Sequence, residues 1–341
     1  AVLDEENEYI LKQHLNCAVS EIPLSIEKED IFNIRTSKPL LDDLVLKRKI
    51  RYTSLDRSYY PRRKNPHREV SIRGGGAPFR ILLGDEKILI GESGSSRVLK
   101  ELHPGAVYLH RGSQYLVKGI HLAKNEVHVK EVSVDYYTSP ITDDRTDILE
   151  IEETKKFREY GFTINRGKLM ITEHVLGFRR KDIYSRKLIS EHLLELPPNE
   201  FKTSGVWIEV EDWIMREISE AGFGPAGGLH ALEHTAIAAL PLYALCDRRD
   251  LGGVSYFPVC PELGVPAIFI YDGHEGGVGL TKRGFEVAPH WFNSTLEILD
   301  ECPCEKACPA CTQDPHCGNN NEPLDKRAAQ LILKHWLRKN D

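Results

Sequence analysis

The sequence predicts an α+β multidomain protein: a winged helix, a small antiparallel β barrel, and an α/β domain closed by a four-cysteine zinc site. Three observations carry that expectation. Short helical stretches run into a basic, tyrosine-bearing tongue before residue 69; apolar residues then alternate with period two to about Tyr137; and five of the eight cysteines crowd between Cys302 and Cys317. The expected boundaries are 1–68 for the winged helix with its basic wing, 69–210 for the β-rich barrel and connecting region, and 211–341 for the α/β zinc-binding domain.

A chain of 341 residues is long enough for two or three domains, each with its own core. No run approaches the roughly 18–20 apolar residues of a membrane span, so no membrane partner is expected. The start, Ala1-Val2-Leu3-Asp4-Glu5-Glu6, has no signal-peptide pattern. Free cysteines beside a thiolate site point to a reducing cytoplasm, and the expected localisation is cytoplasmic, nucleoid-associated if in a prokaryote.

The first segment reads as helices over Asp4 to Ala18, a short one through Glu29–Phe32, and a third after Ser37 with Pro39 in its first turn. Net charge is −6, yet nine cations lie between Lys47 and Arg68 with Asp56 the only acid. Association follows the local field, so this run outweighs the average. Lys47, Arg48, Arg51, Arg57, Arg62, Arg63 and Lys64 supply phosphate-binding charge, and Tyr52, Tyr59 and Tyr60 are interleaved for base stacking. The bland alternative is a solvated loop.

Five short alternating runs follow, at 79–83, 87–91, 107–110, 115–118 and 127–132, separated by turn signals such as His103-Pro104-Gly105. Gly91-Glu92-Ser93-Gly94-Ser95-Ser96 lacks the Gly-Lys-Ser/Thr ending of a phosphate loop. No ATP hydrolysis is expected of this chain. Strands are expected at Lys168–Thr172 and Gly205–Val210; the charged stretch from Glu150 to Glu159 carries no functional reading.

After Glu211 helices are expected at Asp212–Ala221 and from Leu229 to about Cys246, the latter kinked or divided by Pro241. A buried strand at Pro266–Tyr271 leads into Asp272-Gly273-His274-Glu275-Gly276-Gly277-Val278-Gly279. Backbone N–H groups there, with Gly276, Gly277 and Lys282, suit a DNA phosphate; the alternative is a tight turn capped by Asp272. Helices at Trp291–Leu299 and Pro323–Arg338 flank the cysteine loop.

In that loop Pro303 and Pro309 forbid regular structure, and Cys308-x-x-Cys311 is the spacing that presents two sulfurs to one tetrahedral ion. The expected zinc tetrad is Cys304, Cys308, Cys311 and Cys317, with Cys302 as the alternate. Such a closed sulfur site is structural. His230-Ala231-Leu232-Glu233-His234 also matches the H-x-x-E-H pattern of zinc peptidases, which makes a metallopeptidase the rival enzyme reading. Buried histidines hydrogen-bonded within a helix pair explain it equally well. A non-catalytic protein-interaction scaffold is the third reading.

Three stretches carry a resemblance: Gly227 to His234, Tyr271 to Gly279, and Cys302-Pro303-Cys304 through Cys308-Pro309-Ala310-Cys311 to Cys317-Gly318-Asn319-Asn320-Asn321-Glu322-Pro323-Leu324-Asp325-Lys326. Together they resemble the zinc-binding C-terminal domain of MrfA-like DEAD/DEAH-box DNA helicases. His103–His110 with Val134–Thr138, and Asn7–Leu15, are similar to earlier parts of the same proteins. The resemblance implies the accessory half of a superfamily-two, 3′-to-5′ DNA repair helicase that guides single-stranded DNA. It further implies RecA-like motor domains before Ala1, with ATP and Mg²⁺ confined to them, and no protease role for His230 and Glu233.

Overall fold

The computed structural model describes residues 7–25, 27, 32–70 and 78–338. They fall into two compact units, 4–135 and 136–341.

The first unit opens with α1 (Glu8–Glu21), whose start is set by Asn7: its side chain accepts the Ile10 N–H at 2.9 Å. After β1 (Leu24–Ser25) comes α2 (Ile34–Leu46), which starts before the expected Ser37 and so holds Pro39 in its second turn. The short helix expected at Glu29–Phe32 falls mainly on residues outside the described ones. β2 (Ile50–Thr53) and β3 (Ser58–Pro61) form the wing, and β3 also pairs with β1. Leu15, Val19, Leu40, Leu41, Leu44, Ile50 and Tyr59 are buried together, which fixes the hairpin onto both helices.

The same unit continues with β4 (Phe79–Leu83), β5 (Ile88–Ser93), α3 (Ser95–Glu101), β6 (Val107–His110), β7 (Ser113–His121) and β8 (Glu126–Val132). Their order is β5-β4-β8-β7-β6. The expectation of an antiparallel barrel is corrected in two respects. β4 and β8 are parallel, with Ile81 opposite Val127. The two edges meet through side chains instead of a ladder: a Cβ on Gly91 of β5 would lie 3.4 Å from the His110 ring of β6.

The second unit is built on a hairpin of β9 (Tyr136–Phe157) and β10 (Phe162–Asp182). The charged stretch at 150–159 thus lies mostly within a strand. β9 is exposed along most of this part, so no apolar alternation marks it. β11 (Leu188–Leu193) and β12 (Asn199–Glu209) follow, then α4 (Asp212–Glu220), α5 (Pro225–Ala239), α6 (Pro241–Ala244), β13 (Leu251–Tyr256), β14 (Ala267–Asp272), α7 (Leu280–Glu286), α8 (Ala288–Glu301) and α9 (Lys326–Leu337). Pro241 divides α5 from α6, as its missing N–H and ring sterics require.

All pairings in this six-stranded sheet are antiparallel: β11-β10-β12-β14-β13, with β9 on the other side of β10. Trp207 of β12 faces Phe269 of β14 across the ladder. The expected boundary at 210/211 is therefore corrected: one sheet takes strands from both sides of it, and the division falls after Asp135. Period-two alternation sorts the central strands. Val206, Ile208, Ile268 and Ile270 face the helices, whereas Trp207, Phe269 and Tyr271 pack with Leu169, Ile171 and Cys260 on the opposite side.

α5 sits at the centre of the helical layer. Close approach to α9 depends on Gly228, where an added Cβ would come within 2.5 Å of the Ala328 methyl. Trp291 of α8 locks the other side by donating its indole N–H to the Ala236 carbonyl at 2.7 Å.

Candidate metal centre

α8 ends at Glu301, and the chain turns at once into Cys302. α9 is started by Asp325, whose carboxylate accepts the Ala328 N–H at 3.0 Å and the Gly224 N–H at 2.8 Å. The ends of the cysteine loop are thereby held by two packed helices and by the start of α5.

Cys302, Cys304, Cys308 and Cys311 converge, with all four sulfurs within 4.8 Å of one another. Sγ to Sγ distances are 3.4 Å for Cys302–Cys308, 3.5 Å for Cys304–Cys311 and 3.6 Å for Cys308–Cys311. A tetrahedral zinc with sulfur at about 2.3 Å sets its sulfurs about 3.8 Å apart, so the donor set fits that ion. The expected tetrad is corrected here: Cys302, the alternate, joins the cluster, and Cys317 lies elsewhere. The reason is tertiary, because Cys302 is pinned by the end of α8 and by Lys326 of α9. That buried lysine donates its Nζ protons to the carbonyls of Cys302 and, at 2.9 Å, of Cys304.

The Cys304 backbone N–H and Cys308 lower the Cys302 thiol to about 7, while burial and the neighbouring thiols push Cys304 up to about 12. Four thiolates at these separations coexist only around a cation. A zinc ion with four thiolates carries a net charge of −2, and the Lys326 ammonium sits against the loop that bears it.

Cys317 instead meets α5. His230 and His234, one turn apart, share a face with ring centroids 4.3 Å apart, and Cys317 Sγ lies 3.4 Å from His230 Nε2. Burial lowers both imidazoles, His234 to about 4, which keeps them neutral at physiological pH. Glu233 points away, toward β13: a Cβ on Gly253 would be 2.8 Å from its carboxylate. Burial pushes Glu233 up to about 8, so it is protonated at neutral pH and screened from water. The peptidase arrangement, a water-activating carboxylate beside the histidines, is absent from this helix.

The Gly276–Gly279 turn is occupied from within. Buried Asp272 accepts the N–H groups of Val278, Gly279, Leu280 and Thr281 at 2.7, 2.8, 3.1 and 2.8 Å. Gly276 N–H bonds the Lys202 carbonyl at 2.7 Å, and Gly277 N–H bonds that of His274 at 2.9 Å. Gly276 and Gly277, expected as phosphate contacts, have no donor left to offer. Their role is steric: φ is 81° and 77°, and a Cβ on Gly277 would strike the Ser204 hydroxyl at 2.6 Å. Lys282 stays exposed on α7.

On the wing, Arg48, Arg51, Tyr52, Arg62, Arg63 and Lys64 are exposed. Tyr59 is a correction: it is 1% exposed, and its hydroxyl donates to Asp42 at 2.8 Å, so it is a core residue. Strand alternation sends Tyr60 to the opposite face, whereas Tyr52 is the cross-strand partner of Tyr59, with ring centroids 4.9 Å apart, and stays exposed because β2 is an edge strand while β3 is central. Arg51 lies 5.4 Å over the Tyr60 ring, whose hydroxyl bonds Asp56. Lys47 pairs with Asp43 at 3.0 Å and Arg57 pairs with Glu27, both in solvent-exposed ion pairs of small energetic weight. Lys326 is the residue that sequence reasoning missed, and a helix-starting lysine gives no signal of its own.

Fold and site together define a winged-helix protein joined to a thiolate metal-binding domain. Comparison with known families agrees: residues 3–75 match the winged helix domain of ATP-dependent helicase HRQ1, and residues 232–312 match the MrfA Zn-binding domain. The uncharacterized protein MJ1572.1 of Methanocaldococcus jannaschii is 41% identical over 111 residues, 32% of this chain and 99% of that protein. The chain thus carries the winged helix domain known from HRQ1 and the Zn-binding domain known from MrfA, and it belongs to the same family as MJ1572.1.

The uncharacterized ATP-dependent helicase YprA of Bacillus subtilis is 26% identical over 91% of this chain and 41% of its own length. ATP-dependent helicase HRQ1 of Saccharomyces cerevisiae is 27% identical over 97% of this chain and 32% of its length. The chain thus spans about a third to two fifths of these helicases. Among solved structures, DUF1998 helicase MrfA aligns with 97% of this chain and 45% of that chain, at a TM-score of 0.61 and 23% identity. MrfA bound to DNA aligns at 0.54 and 24% identity over 98% of this chain and 44% of that one. Both likenesses concern the fold.

Proposed function

We propose that this chain is the DNA-binding accessory region of an ATP-dependent, 3′-to-5′ DNA repair helicase, guiding a single strand toward RecA-like motors of the same polypeptide. ATP and Mg²⁺ belong to those motors. The observation that carries the reading is the wing: Arg51, Tyr52, Arg62, Arg63 and Lys64 are exposed on a hairpin that Ile50 and Tyr59 anchor in the core. Rigid anchoring lets cations meet phosphates without first ordering a loop, and an exposed Tyr52 offers a stacking face.

Two further features support an accessory role over a catalytic one. Asp272 fills the helix-start N–H groups that a nucleotide phosphate would use. The zinc that Cys302, Cys304, Cys308 and Cys311 would hold has four protein ligands, leaving no open position. When bound it supplies a cross-link between α8, α9 and the start of α5.

The test is binding of labelled oligonucleotides across a salt series. Each neutralised single-strand phosphate contributes about −0.7 to the slope of log K against log salt. Replacing Arg62, Arg63 and Lys64 by serine is expected to weaken binding and flatten that slope by up to about 2. A slope near zero for the wild type, or the same slope for the triple variant, overturns the reading.

A further inference from the structure

We propose that His230, His234 and Cys317 form a second metal site, separate from the four-cysteine cluster, that takes a zinc-type divalent cation with two nitrogens and one sulfur from the protein. The three donor atoms lie within 4.8 Å of one another. The residues matching the Zn-binding domain end at 312 and contain all four clustered cysteines, whereas His230 and Cys317 lie outside them.

The rings are set up as ligands. His230 Nδ1 lies 2.8 Å from the Pro323 carbonyl, and His234 Nδ1 lies 2.8 Å from the Thr312 carbonyl. A carbonyl oxygen only accepts, so each Nδ1 carries the proton and each Nε2 keeps its lone pair. Locking the far nitrogen on a carbonyl is how proteins fix the tautomer and orientation of metal-bound imidazoles. The spacing fits as well. Zinc with nitrogen at about 2.05 Å and sulfur at about 2.3 Å sets those two donors about 3.6 Å apart in a tetrahedron, against 3.4 Å between His230 Nε2 and Cys317 Sγ.

A backbone contact favours the thiolate against the cost of burying it. Asn321 donates its backbone N–H to Cys317 Sγ at 3.3 Å, stabilising the sulfur after its proton is released on metal binding. Half-buried Cys317 gives the cation a way in, while both histidines are buried. Three protein donors leave the fourth position to water or another small ligand. The bland alternative is a thiol donating to His230 in a cluster that never holds metal, and the two differ in metal count.

The experiment uses the full chain expressed in zinc-supplemented medium. Elemental analysis is expected to find two zinc ions per chain in the wild type, and one each in His234→Asn and in Cys308→Ser. X-ray absorption on the wild type covers the case where a variant does not fold: imidazole scattering alongside sulfur is expected. One zinc per chain with a purely sulfur shell, or two zinc ions retained in folded His234→Asn, overturns the proposal. Neither readout depends on DNA, so the DNA-binding reading stands or falls separately.

Discussion

At the scale of single residues, polar groups beyond the sulfurs hold the site together. Lys326 is 4% exposed, and its ammonium spans the carbonyls of Cys302 and Cys304. Lys326→Met keeps the volume but leaves both carbonyls without this donor and removes a countercharge held against the loop. It is expected to cost about 2–3 kcal/mol and to weaken zinc retention about 10–100-fold. Chelator competition measures the second effect, and unchanged zinc release would remove Lys326 from the metal's support. Its role was hidden in the sequence because a lysine after an N-cap aspartate reads as an ordinary exposed helix residue. Only the return of α9 beneath the loop brings its Nζ to the Cys302 carbonyl.

At the scale of elements, the β14–α7 turn and the wing contrast. Asp272 is fully buried and holds four backbone N–H groups, so the turn is a self-capped connection. Asp272→Ala strands those donors in the interior and is expected to destabilise by about 3 kcal/mol or more in urea unfolding. Asp272→Asn, which retains an acceptor oxygen, should lose less. Equal stability for wild type and Asp272→Ala would show that water replaces the carboxylate. The wing was legible from its charge, yet its tyrosines divide in burial: Tyr59 into the core, Tyr52 to 46% exposure. The register pairs the two directly, so strand position makes that choice: Tyr59 sits on the central strand β3 and Tyr52 on the edge strand β2.

At the scale of the whole molecule, each unit has its own apolar core, and among the described residues the clusters that could hold a metal lie in the second. Cys302, Cys304, Cys308 and Cys311 join the larger core, so losing the metal should loosen the helical layer and leave the winged helix folded. Strong chelation is therefore expected to make residues 136–341 protease-sensitive while a fragment near residues 4–135 persists. Parallel loss of both units, or protection of both, would contradict that independence. Among the described residues no helix is long and apolar enough to cross a membrane.

Local features determined much of this protein by themselves. Asn7 and Pro23 bound α1, Pro241 splits α5 from α6, alternation marks the strands from β4 to β8, and clustered thiols announce the metal loop, because each depends on neighbours a few residues away. Tertiary structure decided the rest. Which four of five sulfurs converge depends on where α8 and α9 hold the ends of the loop and on α5 drawing Cys317 to His230. Likewise β12 crosses the expected boundary because its partner β14 lies nearly sixty residues later, and pairing at that separation leaves no trace in the spacing of either strand.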